Sequence, residues 1–314
     1  MGINHLMKNN IGDNNGDSLN IIDQLFDVMR NPFNKLETEY HRLKYLENTN
    51  AYVKPKTLIF GERLKLVKTK QNRREVKSFP VTGQYIPIKD VIKIFLEKSN
   101  NFIIARNFLN SLKEEKQYLK HFCQGKLWLD IQKKFKNKTV FPLIMYFDDF
   151  NIDDVLGSHK GNNKIGAVYY TLPCFPVEFE QSMQQIFTAM LFLTNDREEF
   201  KNEIVFEQLI DDLKDLENEG IELKVGNAFE RVYFVLGLFL GDNLGVHQIH
   251  DLVGGFNANF PCRYCKTNKN LFDYTFDEAK IVLRNKENYD DELKIVPSQE
   301  FTSIVHSINF SIFM

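Results

Sequence analysis

The sequence predicts an α/β protein: a mixed sheet flanked by helices, preceded by a small α+β region. Two observations carry that expectation. Four short apolar runs, VFPLIMYFDDF (140–150), KIGAVYYTL (164–172), QIFTAMLFLTND (185–196) and ERVYFVLGLFL (230–240), have the length and β-branched or aromatic content of strands. Between the third and fourth, Phe206, Leu209, Ile210, Leu213 and Leu216 repeat at helical spacing and stop at Gly220. Three strands, a helix, then a strand parallel to the first suit a layered α/β unit better than a sandwich.

In chain order, residues 1–18 are polar, rich in Asn, Gly and Asp, and read as disordered. Asn31-Pro32 reads as a cap with Pro at the first helical position, opening an amphipathic helix through Leu36, Tyr40, Leu43 and Leu46. Residues 51–87 change period: TLIFG and LKLVKT read as strands joined at Gly61-Glu62, and SFPVTGQYIPI follows with a turn at Thr82-Gly83. Ile88, Val91, Ile92, Phe95 and Leu96 mark a helix, and a second covers 101–120. The outer face of the 206–216 helix carries Asp211, Asp212, Asp215, Glu217 and Glu219, read as solvated charge. The expected units are 1–18, an N-terminal helical and hairpin region 19–138, a core 139–272 and a C-terminal segment 273–314.

Composition narrows the function classes. With 40 Lys and Arg against 42 Asp and Glu, the formal charge is −2, so no global basic field points to nucleic acid. No apolar run approaches the roughly 18 residues that span a membrane. The amino terminus has no secretory h-region, and Leu6 stands where a myristoylation motif needs Ser or Thr. Four cysteines are too few for a disulfide scaffold in 314 residues, so a reducing intracellular compartment is expected. Locally, Arg63, Lys65, Lys68, Lys70, Arg73, Arg74 and Lys77 form the densest basic run. It reads as a solvated hairpin edge, a phosphate-contacting ribbon or a nuclear-import signal.

Two strand ends carry acids: Asp148-Asp149 after the first run and Asp242 after the fourth. Side by side and parallel, those strands would bring the carboxylates to one sheet edge, a setting for hard Mg²⁺ or Mn²⁺ ions in phosphoryl transfer. Asp-Asp and Asp-Asn are equally ordinary turn chemistry. Just downstream, Cys262-x-x-Cys265 supplies two thiolates for Zn²⁺, and His247 and His250 could join them. Buried thiols and ordinary helix histidines are the alternative, and Cys123 and Cys174 read as core thiols.

Residues 142–272 resemble the CACTA (En/Spm) transposase-derived proteins. The resemblance rests on FDDFN (147–151), Leu172-Pro173, the helix from Leu209 to Ile221, GDNLGVH (241–247) with Gly255-Phe256, and CRYC (262–265). The segment 53–96 resembles the region that precedes that core. The resemblance implies an RNase H-like DDE/D recombinase core that cuts and rejoins DNA using three acids and two divalent ions. It implies Asp148 as the first acid, with Asp149 as the alternative, and Asp242 as the second. It also implies DNA as partner, with self-association, in a nuclear or cytoplasmic setting. A third acid is expected on a later helix. Asp277, Glu278, Asp290, Asp291, Glu292 and Glu300 are present, none in an MHDxxEG-like context. The expectation is therefore a C-terminally truncated, inactive fragment. The runner-up is a non-catalytic DNA- or protein-binding module built on the basic hairpin and a zinc knuckle.

Overall fold

The computed structural model describes residues 26, 29–30, 33, 36–49, 52–68, 70, 72–115, 117–152, 164–176, 185–252 and 258–293. The expected disordered stretch 1–18, Asn31-Pro32, Gly255-Phe256, Glu300 and residues 294–314 lie outside them. The chain divides into two compact units, 1–52 and 53–314.

In the first unit, helix α1 (Glu39–Asn48) begins later than Asn31-Pro32 predicts. Thr38 explains the start, because its side chain accepts the His41 N–H as a cap. None of its residues is buried, so the expected apolar packing face is not used there.

The second unit is built on a seven-stranded mixed sheet. Its strands are β1 (Lys56–Lys68), β2 (Arg74–Tyr85), β3 (Thr139–Asn151), β4 (Lys164–Thr171), β5 (Phe187–Leu193), β6 (Ile221–Val225) and β7 (Ala228–Gly241). The order across the sheet is β1-β2-β5-β4-β3-β7-β6. All pairs are antiparallel except β3 and β7, which run parallel. Helices α2 (Ile88–Glu97), α3 (Asn101–Glu114), α4 (Lys126–Lys134) and α5 (Thr194–Asn218) flank it, followed by the short α6 (Asn243–Ile249), α7 (Lys269–Phe272) and α8 (Lys286–Leu293). Among the described residues, no helix is long and apolar enough to cross a membrane.

Strand alternation builds the core. Phe141, Leu143, Met145 and Phe147 fall on one face of β3, and all are buried. Phe141 stacks on Phe102 of α3 and meets Phe234 of β7 edge-on. Phe147 stacks on Phe192 of β5, whose ring meets Phe206 of α5 edge-on.

Several local expectations change. Residues 56–68 form one strand, with only a bulge between Ile59 and Gly61 where a turn was expected. Thr82-Gly83 likewise stays inside β2; the Phe60 ring packs where a Gly83 Cβ would stand, 2.5 Å away. β3 does not stop at its aspartates: Asp148 and Asp149 still pair with Ala167 and Gly166 of β4. β6 was not anticipated; five residues paired back onto β7 make it a short edge strand. Asp212 is not merely solvated, because it accepts the hydroxyl of buried Tyr85 and lies 3.8 Å from Lys89.

Phe206 is 2 % exposed and joins α5 to the sheet. Phe206→Ala should lower the unfolding free energy by about 3–5 kcal/mol, read as a shift of the urea midpoint.

Candidate functional site

The register between β3 and β7 sets the site. The last parallel pair is Phe147 with Gly241, so Asp148 and Asp242 are the next residues on neighbouring strands. Paired strands lie about 4.8 Å apart, which brings the two aspartates to one sheet edge. Both raise the Tyr146 phenol pKa, after burial as the larger cause, so the charge of each reaches that ring.

A cleft of about 240 Å³ opens at this edge, lined by Asp148, Asp149, Asp242 and also by Lys164, Thr194 and Glu198. The adjacent aspartates differ in their commitments. Asp149 Oδ1 accepts the Thr194 hydroxyl at 2.7 Å, and Thr194 is buried. Alternation along β3 turns Asp148 to the opposite side, the side of Tyr146. Asp242 caps α6, its Oδ1 accepting the Gly245 N–H. A Cβ at Gly245 would stand 2.7 Å from that oxygen, so glycine lets the helix close onto the carboxylate.

Glu198 escaped the sequence reading. It sits one turn after Thr194 in α5, and the available signal was the acid-rich helix start TNDREE directly after an apolar strand. That turn is anchored on its other side, where Arg63 binds Asp196 at 2.8 Å and also Glu199.

Beneath the cleft lies a buried polar network. α5 breaks at Lys201, whose φ of 70° and ψ of 159° are strained for a residue with a side chain. Asn202, the next residue, donates to Gln248 O at 2.7 Å, Ile249 O at 3.2 Å and Asp251 Oδ1 at 2.8 Å. Arg197 donates to Asn202 Oδ1 at 3.2 Å and lies over the Phe147 ring at 5.9 Å. Burial lowers its pKa, while Asp149 is the largest influence raising it. These contacts fix the end of α6 against α5.

The Cys/His group lies nearby. His247 and Cys262 line one cleft of about 390 Å³ together with Asp273. Cys262 Sγ accepts the Tyr264 N–H at 3.3 Å. Cys265 is buried, and its thiol donates to the Thr267 hydroxyl at 3.2 Å. Burial alone would raise the Cys265 pKa; the Thr267 bonds, Cys262 and Arg284 outweigh it and bring it below the ordinary thiol value. Arg284 Nε donates to Cys262 O at 3.0 Å and pairs with buried Glu292, which also binds Lys266 at 2.7 Å. Glu292 is thus committed to this scaffold. His250 is buried against Phe239, and burial pushes its pKa down to about 4. Among the described residues, no three His, Cys, Asp or Glu side chains converge closely enough to hold a metal ion.

Of the basic residues, Lys65, Lys68, Lys70, Arg73 and Arg74 all lie in the β1–β2 hairpin and are exposed. No protein-family model matches this chain, and no curated protein is significantly similar to it.

Asp251 gives a pH prediction. Burial raises its carboxyl to about 6, opposed by the Asn202 bond and the Arg197 charge, whereas in an unfolded chain it ionises near 4. Between those values the folded state holds the extra proton, so this group's contribution to stability falls as pH rises from about 4 to 6. Asp251→Asn should remove that fall, moving the variant's stability relative to wild type upward by about 2–3 kcal/mol across the window. Chemical denaturation at a series of pH values measures it.

Proposed function

We propose that this chain is a transposase-derived, RNase H-like protein whose acidic cleft binds Mg²⁺ or Mn²⁺ and acts on DNA phosphodiesters. The observation that carries the reading is the pairing of Phe147 with Gly241, after which Asp148 and Asp242 enter one cleft. The order β3-β4-β5-α5-β7 supports it: three antiparallel strands, a helix, and a strand returning parallel to the first.

The donor set suits a hard cation. Mg²⁺ keeps several waters and takes one or two carboxylates, which Asp148 and Asp242 supply. Thr194 holds one oxygen of Asp149, so Asp148 is the first choice of ligand in the adjacent pair and Asp149 its alternative. Glu198, on the helix that borders the same cleft, adds a further acid to its lining without converging on the two aspartates. Lys164, exposed at the start of β4, attracts a phosphate to the rim. When bound, the ion supplies charge neutralisation on phosphate oxygens and activation of water. Dependence on two carboxylates and water makes slow turnover the expected activity.

A second reading concerns zinc. His247 and Cys262 share a cleft with Cys265 close by in sequence, and this pair favours a structural zinc knuckle. Zinc content by elemental analysis should fall in Cys262→Ser; unchanged zinc removes the knuckle.

For the cleft, wild type should nick supercoiled DNA slowly with Mn²⁺. Loss of a ligand in Asp242→Asn should cost at least the roughly 10–100-fold typical of lost supporting partners, and Glu198→Gln should lower the rate as well. Equal nicking by wild type and Asp242→Asn would sink the catalytic reading.

A further inference from the structure

The β1–β2 hairpin has more ribbon than the sheet uses. β2 meets β5 only at Gln84 and Tyr85, whereas β1 and β2 stay paired from Gly61–Val81 out to Lys68–Arg74. The five pairs from Leu64–Ser78 to Lys68–Arg74 project beyond the base as a two-stranded ribbon roughly 15 Å long. Its base is held by Arg63 on Asp196 and Glu199 and by the Phe200 ring against Gly61, on the same helical turn that presents Glu198 to the cleft.

Between Arg63 and Lys77 the sequence has seven lysines and arginines against one acid, Glu75, in a chain of formal charge −2. The register sets like charges opposite each other: Lys65 faces Lys77, and Lys68 faces Arg74. Directly opposed like charges destabilise a strand pair, and the 3.9 Å Lys77–Glu75 contact offsets them in part. The ribbon also leaves Leu64, Leu66 and Val76 exposed on one face, at 71 %, 69 % and 62 %. A free ribbon that carries both features is complementary to a polyanion with an apolar interior surface.

We infer that this ribbon is a duplex nucleic-acid docking element that inserts into the major groove. The groove, about 12 Å wide, admits a two-stranded β-ribbon. Lys68 and Arg74 share the face of Leu64, Leu66 and Val76, and Lys65 and Lys77 stand on the other; cations on both faces do not match one flat lipid surface, and their long stems reach the phosphates that flank the groove. A second copy of the chain would stack cation on cation. Leu64, Leu66 and Val76 then meet base edges and thymine methyl groups.

The inference stands apart from the chemistry of the cleft, and its test is run in EDTA so that no divalent ion contributes. A short fluorescent duplex is titrated by anisotropy over a range of salt concentrations, with wild type and the triple variant Lys65→Gln/Lys68→Gln/Arg74→Gln. The variant should lose at least tenfold in affinity at low salt, and its salt slope should flatten by roughly 0.9 per phosphate contact removed. Its melting temperature should be unchanged or higher, because repulsion has been relieved; this excludes misfolding as the cause. Retention of wild-type affinity and slope by the variant would overturn the inference. So would wild-type binding to phosphatidylserine vesicles without binding to the duplex. Intact duplex binding without any nicking would leave the ribbon standing and overturn the cleft alone.

Discussion

The parallel pairing of β3 with β7 is the constraint on which the rest of the site depends. These strands are about ninety residues apart in sequence, and only their alignment makes two distant aspartates neighbours. The pairing is supported from both directions: β4 extends along β3 past the aspartates, and β6 folds back onto β7. Phe147, the last residue before Asp148, is buried between the stacked Phe192 ring and the start of α6. The carboxylates therefore lie at the rim of the aromatic core, so their placement has the rigidity of the core.

The cleft's polar groups combine structural and chemical roles. Asp242 caps a helix through one oxygen, Asp149 is held by Thr194, and Asp196 anchors the ribbon through Arg63. Such commitments restrict side-chain rotation, which is what a preorganised ion site needs. The break at Lys201 has the same sense. It turns Asn202 toward α6, where one amide group satisfies two carbonyls and a carboxylate, and so fixes the two walls of the cleft relative to each other.

Much of this was legible in the sequence because strand and helix periods are local signals. The runs containing Asp148 and Asp242 and the stripe from Phe206 to Leu216 follow from apolar spacing, and the parallel relation of the two runs from the order of the elements between them. Glu198 was not legible, because an acid in a first helical turn looks like ordinary dipole chemistry until the strand beside it is placed. The hairpin was misdivided for a related reason: Gly61 and Gly83 look like turn residues, but each is there to admit an aromatic ring, Phe200 or Phe60. The α1 start was misjudged because Asn31-Pro32 and Thr38 are both competent openings, and local pattern does not rank them. Which of Asp148 and Asp149 meets Thr194 depends on the phase of the pleat, which only the built sheet supplies.

The proposed role of the cleft requires Asp148 and Asp242, which both line it, to bind one divalent cation. Terbium luminescence sensitised by tyrosine tests it most directly, since Tyr146 feels the charge of both aspartates. The account predicts saturable luminescence that competing Mn²⁺ displaces, with Tyr146→Phe losing signal while Mn²⁺ binding by calorimetry persists, and Asp148→Asn or Asp242→Asn losing both. Undiminished luminescence and Mn²⁺ binding in the two aspartate variants would contradict it.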